Sequence, residues 1–170
     1  MSSALEPREP GAVLLATFRQ FLADDGWPLL PGEESERATA IAVEGESGHW
    51  VCVAQVSEGR ELALFSSVLP VVVPSERRDE VGAFLHRANA GLLVGGFQYD
   101  LDEGGITYVT SFDLGEADVA ALAATGALDP VFRQLVYMNL STVEQYLPSL
   151  MRVVYGTLDA PSAIAEAEQE

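Results

Sequence analysis

The chain has 170 residues, 48% of them hydrophobic, which suits one domain with one core and is too apolar for global disorder. Its net charge is −17, and all nine basic residues are arginine. That balance argues against direct binding to nucleic acid, which needs clustered positive charge, and against anionic membrane surfaces for the same reason.

A basic protein partner would be steered in by such a field, although acidic surfaces also serve solubility alone. One cysteine, Cys52, allows no internal disulfide, and no Cys/His cluster exists for zinc. The first ten residues lack a basic segment followed by an apolar core, so no signal peptide is expected. The longest apolar run, residues 68–73, is broken by Pro70 and too short to span a bilayer. A cytoplasmic location is expected, and without a secretory route the sequon Asn139-Leu-Ser141 carries little meaning.

In chain order, residues 1–11 are expected to be a flexible arm. Residues 12–25 then place Leu14, Phe18, Phe21 and Leu22 on one stripe opposite Arg19 and Gln20, which predicts a helix ended near Gly26. A loop from Trp27 through Glu33, Glu34 and Glu36 follows. Three antiparallel strands are predicted over residues 39–43, 49–56 and 61–67, with turns at 45–48 and 57–59. The second has apolar residues on both faces, which predicts a central strand covered on both sides.

Pro70 and Pro74 are expected to stop the sheet and deliver the chain to Ser75, an N-cap. A helix to about Asn89 follows, with Val81, Phe84, Leu85 and Ala88 at helical spacing and Gly91 as its left-handed stop. Phe97, Tyr99 and Leu101, then Ile106, Tyr108, Thr110 and Phe112, alternate around Asp102-Glu-Gly-Gly105 and predict a hairpin. A short helix over residues 116–124 and a long one opening at Asp129-Pro130 complete the order, with a kink expected at Pro148. The expected fold is α+β: an antiparallel sheet of about five strands on helices, order α-β-β-β-α-β-β-α, in one domain over residues 12–156. Residues 157–170 are expected to be an acidic, mobile tail.

No residue set carries a recognisable catalytic signature. Asp100-Leu-Asp102-Glu-Gly-Gly105 begins like a calcium loop, but Ser111 occupies the twelfth position and a strand follows, so a turn is the better account. Nothing pairs Cys52 with a base, and its alternation with apolar residues suits a small buried hydrophobe. The glycine-rich 91–96 segment follows a helix, where a phosphate loop would precede one. No metal, no cofactor and no enzymatic activity are expected. Among Trp27, Trp50, Phe97, Tyr99 and Tyr108, most belong in a core; any exposed on the sheet would form an apolar patch for a protein client. Asp100, Asp102 and Glu103 would supply an acidic rim favouring a basic one. The alternative is a small-ligand sensor, with a pocket of roughly 300 Å³ lined by Trp50, Tyr99 or Tyr108.

An ordered set of motifs adds a resemblance. Val73-Pro-Ser-Glu-Arg-Arg-Asp-Glu-Val81, Phe84-Leu-His-Arg-Ala-Asn-Ala-Gly-Leu92, Gly96-Phe-Gln-Tyr-Asp100, Tyr146-Leu-Pro-Ser-Leu150 and Val154-Tyr-Gly156 together resemble the YbjN-like family of bacterial proteins, labelled as regulators of sensory transduction. The resemblance implies a fold like that of type III secretion chaperones: a small acidic homodimer without nucleotide or metal, holding a client along apolar patches. It also implies a dimer contact through the helix bearing Val81, Phe84, Leu85 and Ala88.

Overall fold

Burial alternates residue by residue along the strands, and the buried set lies on one face of one sheet. The computed structural model describes residues 10–32, 35–57 and 60–169. Its elements are α1 (Pro10–Asp24), β1 (Ala38–Gly45), β2 (Gly48–Val56), β3 (Leu62–Val72), α2 (Arg78–Gly91), β4 (Gly96–Tyr99), β5 (Gly105–Asp113), α3 (Val119–Ala124), α4 (Asp129–Val154) and α5 (Ala160–Ala167). The five strands pair antiparallel in the order β1-β2-β3-β5-β4. This is the α+β architecture expected, with one more helix.

The inner face carries Ile41, Trp50, Cys52, Phe65, Ile106 and Tyr108, all buried. α1 and α4 cover it through a cluster of rings: Phe132 stacks on Phe18 at 4.3 Å and meets Phe112 at 5.7 Å, while Phe18 meets Phe65 at 6.2 Å. α2 lies over the β4 end, where Phe84 and Phe97 approach Tyr146 edge-on at 6.4 and 5.8 Å.

One buried polar hub sits in this layer. Asn139 of α4 donates to the Phe65 and Tyr108 carbonyls at 2.9 and 3.1 Å and accepts the Ser67 hydroxyl at 2.6 Å. Ser67 in turn accepts Trp50 Nε1 at 3.0 Å and lies 3.1 Å from Cys52 Sγ. The sequon asparagine is therefore fully buried, with every polar atom engaged.

Pro148 lies inside a continuous α4. It lacks the N–H that would bond the Glu144 carbonyl, and that carbonyl instead accepts the Ser47 hydroxyl at 3.1 Å. Ser47 N–H adds a bond to Glu144 Oε2 at 2.9 Å. The turn between β1 and β2 thus docks on the helix, so closely that a Cβ at Gly45 would fall 1.6 Å from Glu144 Oε1.

Several expectations are corrected. β3 runs through Pro70, because its register shifts between Val68 and Val72 and no β2 partner lies opposite. Ser75 caps nothing with its side chain; a 3₁₀ turn, Ser75–Arg77, precedes α2. Gly91 is helical, and Gly95 (φ 74°) makes the left-handed turn into β4. Helix α1 already includes Pro10 and Gly11, while residues 1–9 of the expected arm lie outside the described residues. Residues 58–59 of the expected β2–β3 turn also lie outside them.

The largest correction concerns the expected acidic tail. Residues 160–167 form α5 against α2 and α4, with Ala160, Ala163 and Ala167 buried. Asp159 caps it by accepting from Ser162 N–H at 2.8 Å. Alanines at spacings of three and four let this short helix approach its neighbours closely, a face that composition alone reads as solvent-compatible.

Candidate protein-binding face

The second face of the sheet has no described helix over it. Cross-strand register sets Ala42, Val51, Val68, Thr107 and Gln98 in one row and Ala40, Val53, Ser66, Val109 and Gly96 in the next. Apart from Ala40, their side chains are exposed or half-buried. Val72, 70% exposed, extends the patch toward the β4–β5 turn, where Leu101 is also exposed. The apolar residues on both faces of β2 therefore do not mark double coverage. They mark one buried face and one open face.

Charge is confined to the ends of this surface. His49 and Glu44 pair at 3.8 Å at one end, and Arg60 and Asp113 pair at the other. Exposed Asp102 and Glu103 stand near Val72 and Leu101.

Both sheet edges are partly occupied. Asn89 of α2 offers its carboxamide to β4 as a strand would offer a peptide group: Phe97 N–H donates to Oδ1 at 2.7 Å and Nδ2 donates to the Phe97 carbonyl at 2.9 Å. On β1, Leu30 N–H donates to the Ala40 carbonyl at 2.9 Å, and Leu29 bridges Ile41. Strand addition is thus obstructed over part of each edge.

The residues singled out from sequence separate into two groups. Trp50, Phe97 and Tyr108 are core, as are Val81, Phe84, Leu85 and Ala88 of α2; none of these seven has a surface to offer, which corrects both the patch and the dimer helix. They point inward because the interior of a one-sided sheet must be filled with its largest rings. Ala83, His86, Arg87 and Ala90 form the exposed side of α2.

Trp27 is half-buried away from the sheet. Its ring meets Tyr137 edge-on at 6.1 Å, and its N–H donates to Asp25 at 3.1 Å. Burial works against the charge on Asp25, but bonds from Tyr137, Trp27 and Arg133 outweigh it and hold the carboxyl below its ordinary pKa. Tyr99 is half-buried against α2, 3.7 Å from a Cβ placed at Gly82.

Asp100 is exposed like the rest of the supposed rim, but its carboxylate is engaged within the turn. Its Oδ1 accepts Glu103 and Asp102 N–H at 2.8 and 2.9 Å, and these two bonds lower its pKa. It shapes the turn, while exposed Asp102 and Glu103 use only their backbone N–H groups there. Arg78 holds the same turn from α2 through the Leu101 and Asp102 carbonyls. Arg77 grips the other side, donating to the Val153 carbonyl at 2.7 Å. The Arg-Arg pair and Asn89 therefore fasten α2 to its surroundings. Their signal in the sequence was polar side chains at the two ends of a helix, which spacing alone does not distinguish from solvated groups.

A cleft of about 330 Å³ is lined by Arg77, Glu80, Gly156, Thr157, Leu158 and Asp159. The aromatic residues expected to line a ligand pocket are elsewhere. Among the described residues, no three His, Cys, Asp or Glu side chains converge as metal ligands, and no helix is long and apolar enough to cross a membrane.

Burial raises the Cys52 thiol from its ordinary 9.0 to about 11, against the bonds from Ser67 and Trp50. The fold therefore favours the neutral thiol. Its contribution to stability is complete below pH 9.0 and is lost as pH rises through about 11. A thiol reagent at pH 8 should label native protein at least a hundredfold more slowly than urea-unfolded protein. Equal rates would show that Cys52 is not sealed.

The described residues thus form a one-sided antiparallel sheet whose second face carries open apolar rows. The YbjN family model, described as "Putative bacterial sensory transduction regulator", matches residues 15–151, and the chain belongs to that family. The chain is similar to the crystal structure of YbjN from E. coli, at 17% identity over 72% of this chain and 87% of that one, with a TM-score of 0.44. It is also similar to a chain of the HopA1–SchA chaperone–effector complex (18% identity, 76% and 98% covered, TM-score 0.38). A third similarity is to a chain of the ExsC–ExsE complex (15% identity, 69% and 85% covered, TM-score 0.37). A search of the curated proteins returned no match.

Proposed function

We propose that this protein is a non-catalytic adaptor that holds a protein client on the open face of its sheet. The observation that carries this reading is the uncharged double row across β1, β2, β3 and β5, bounded at each end by an acid paired with a base. Contiguous exposed apolar surface of this kind costs solubility unless a partner uses it. A specific interface needs about 800 Å² per partner, a scale that suits a five-stranded face. The net charge of −17, with exposed Asp102 and Glu103 beside the patch, favours a basic client and makes its arrival dependent on salt.

The test is an affinity pull-down from native bacterial lysate with the full chain and with its Val51→Glu/Val68→Glu variant, repeated across salt. Both positions are exposed but pair directly across β2 and β3, so the facing glutamates repel and the fold should tolerate them within about 2 kcal/mol. The expected result is a client retained by the wild-type chain, weakened by salt and lost at least tenfold by the variant. Recovery of no client, or of one indifferent to both changes, defeats the reading.

A further inference from the structure

The groove between α2 and α4 holds the chain's own C-terminal helix, and the fastening is polar at the ends and thin in the middle. α5 runs parallel to α2: the Ala160 N–H at its start donates to Glu80 at 2.6 Å, and Glu168 just past its end lies beside Gly91. It runs against α4, with Gln145 donating to the Ala167 carbonyl at 3.0 Å and Tyr146 to Glu168 at 3.1 Å. Arg152 pairs with Glu166.

Between these fastenings, only Ala160, Ala163 and Ala167 are fully buried, with Ile164 packed half-buried beside them. A helix of eight residues does not hold by itself in water, since isolated helices shorter than roughly 12–15 residues are marginal. It is reached by an exposed link that leaves α4 at Gly156 (φ 71°). The family match ends at residue 151, so α2 and α4 up to Met151 lie in the matched part of the chain, whereas Arg152 and the helix filling the groove do not.

We propose that the α2–α4 groove is a docking site for an alanine-faced amphipathic helix, which the chain fills in cis with α5. The groove states the chemistry of the occupant. Small residues at the first, fourth and eighth positions permit close approach, and free N–H groups at the helix start meet the Glu80 carboxylate, which also complements the dipole. An acid near the other end meets Arg152. A partner helix with this pattern would displace α5, and a tethered occupant would keep out weaker ones through its high effective concentration. This surface is separate from the open sheet face, so either reading can fail alone.

The experiment uses the full chain carrying Ala163→Glu, whose own α5 no longer fits, and a fluorescein-labelled synthetic peptide of residues 157–170 as probe. The expected result, read by anisotropy, is binding to the variant at least tenfold tighter than to the wild type, and a further loss when Arg152→Ala is added. A folded variant that ignores the peptide overturns the proposal. Hydrogen exchange on the wild-type chain decides independently of whether the variant folds. Amides of residues 163–167 should exchange through local opening, ahead of α2 and α4. Exchange of those amides only with global unfolding overturns the proposal as well.

Discussion

Replacing Asn139 with alanine is expected to destabilise the protein by about 3 kcal/mol, with little change in denaturant m-value. The carboxamide joins α4 to two strands at once: it donates to the carbonyls of Phe65 on β3 and Tyr108 on β5, and it accepts from Ser67. Its removal leaves the Ser67 hydroxyl, already committed to accepting from Trp50, with only the weak acceptor Cys52 Sγ in a buried site. Each such orphaned group costs about 1–3 kcal/mol. Leucine should fare no better, since it replaces one partner and strands the others. A double-mutant cycle with Ser67→Ala should show coupling of about 1 kcal/mol or more, because both changes break the same network. A loss below about 1 kcal/mol in urea melts would show that the hub contributes little.

Replacing Phe132 with alanine is expected to cost about 3–5 kcal/mol, the range for removing a fully buried phenylalanine. This ring is where three layers meet: it stacks on Phe18 at 4.3 Å, lies 5.8 Å from Phe21, and reaches Phe112 on β5 at 5.7 Å. Three aromatic neighbours held in α1 and β5 cannot collapse into the vacated space without moving their elements, so a cavity should persist. Phe132→Leu should keep more than half of the lost stability. Urea melts showing a loss below about 1.5 kcal/mol for the alanine variant would mean that the helices do not close on the inner face as described. The contrast with Val51 and Val68 is instructive, since comparable apolar residues on the other face should be replaceable by glutamate at lower cost to folding and large cost to client binding.

The element order was legible because each element carries its own periodicity. The stripe of Leu14, Phe18 and Leu22, and the alternation through Ile106, Tyr108 and Thr110, need no knowledge of the rest of the chain. The family was legible for a similar reason, in local motifs at α2 and its turns. What those motifs do was not. Asn89 and Asn139 are both single polar residues beside apolar ones, yet one closes a sheet edge and the other anchors the core. The difference lies in which strands they face. A signal for Asn139 did exist: it is the lone carboxamide on the α4 face that also carries Leu135, Val136 and Val143. α5 likewise had a signal, an aspartate and a proline at its start like those at Asp129-Pro130, outweighed by its acidic, small-residue composition.

The chain's own letters decided charge, size, strand and helix identity, and membership of a family, because these depend on composition and on neighbours within a few residues. Coverage was decided only in three dimensions. Val51 and Cys52 are adjacent apolar residues, and a pleat sends one to solvent and the other to the core according to where α1 and α4 come to rest. Trp50 and Tyr108, large rings that the sequence also offered as contact residues, were drawn inside because a sheet with helices on a single side must fill that side first.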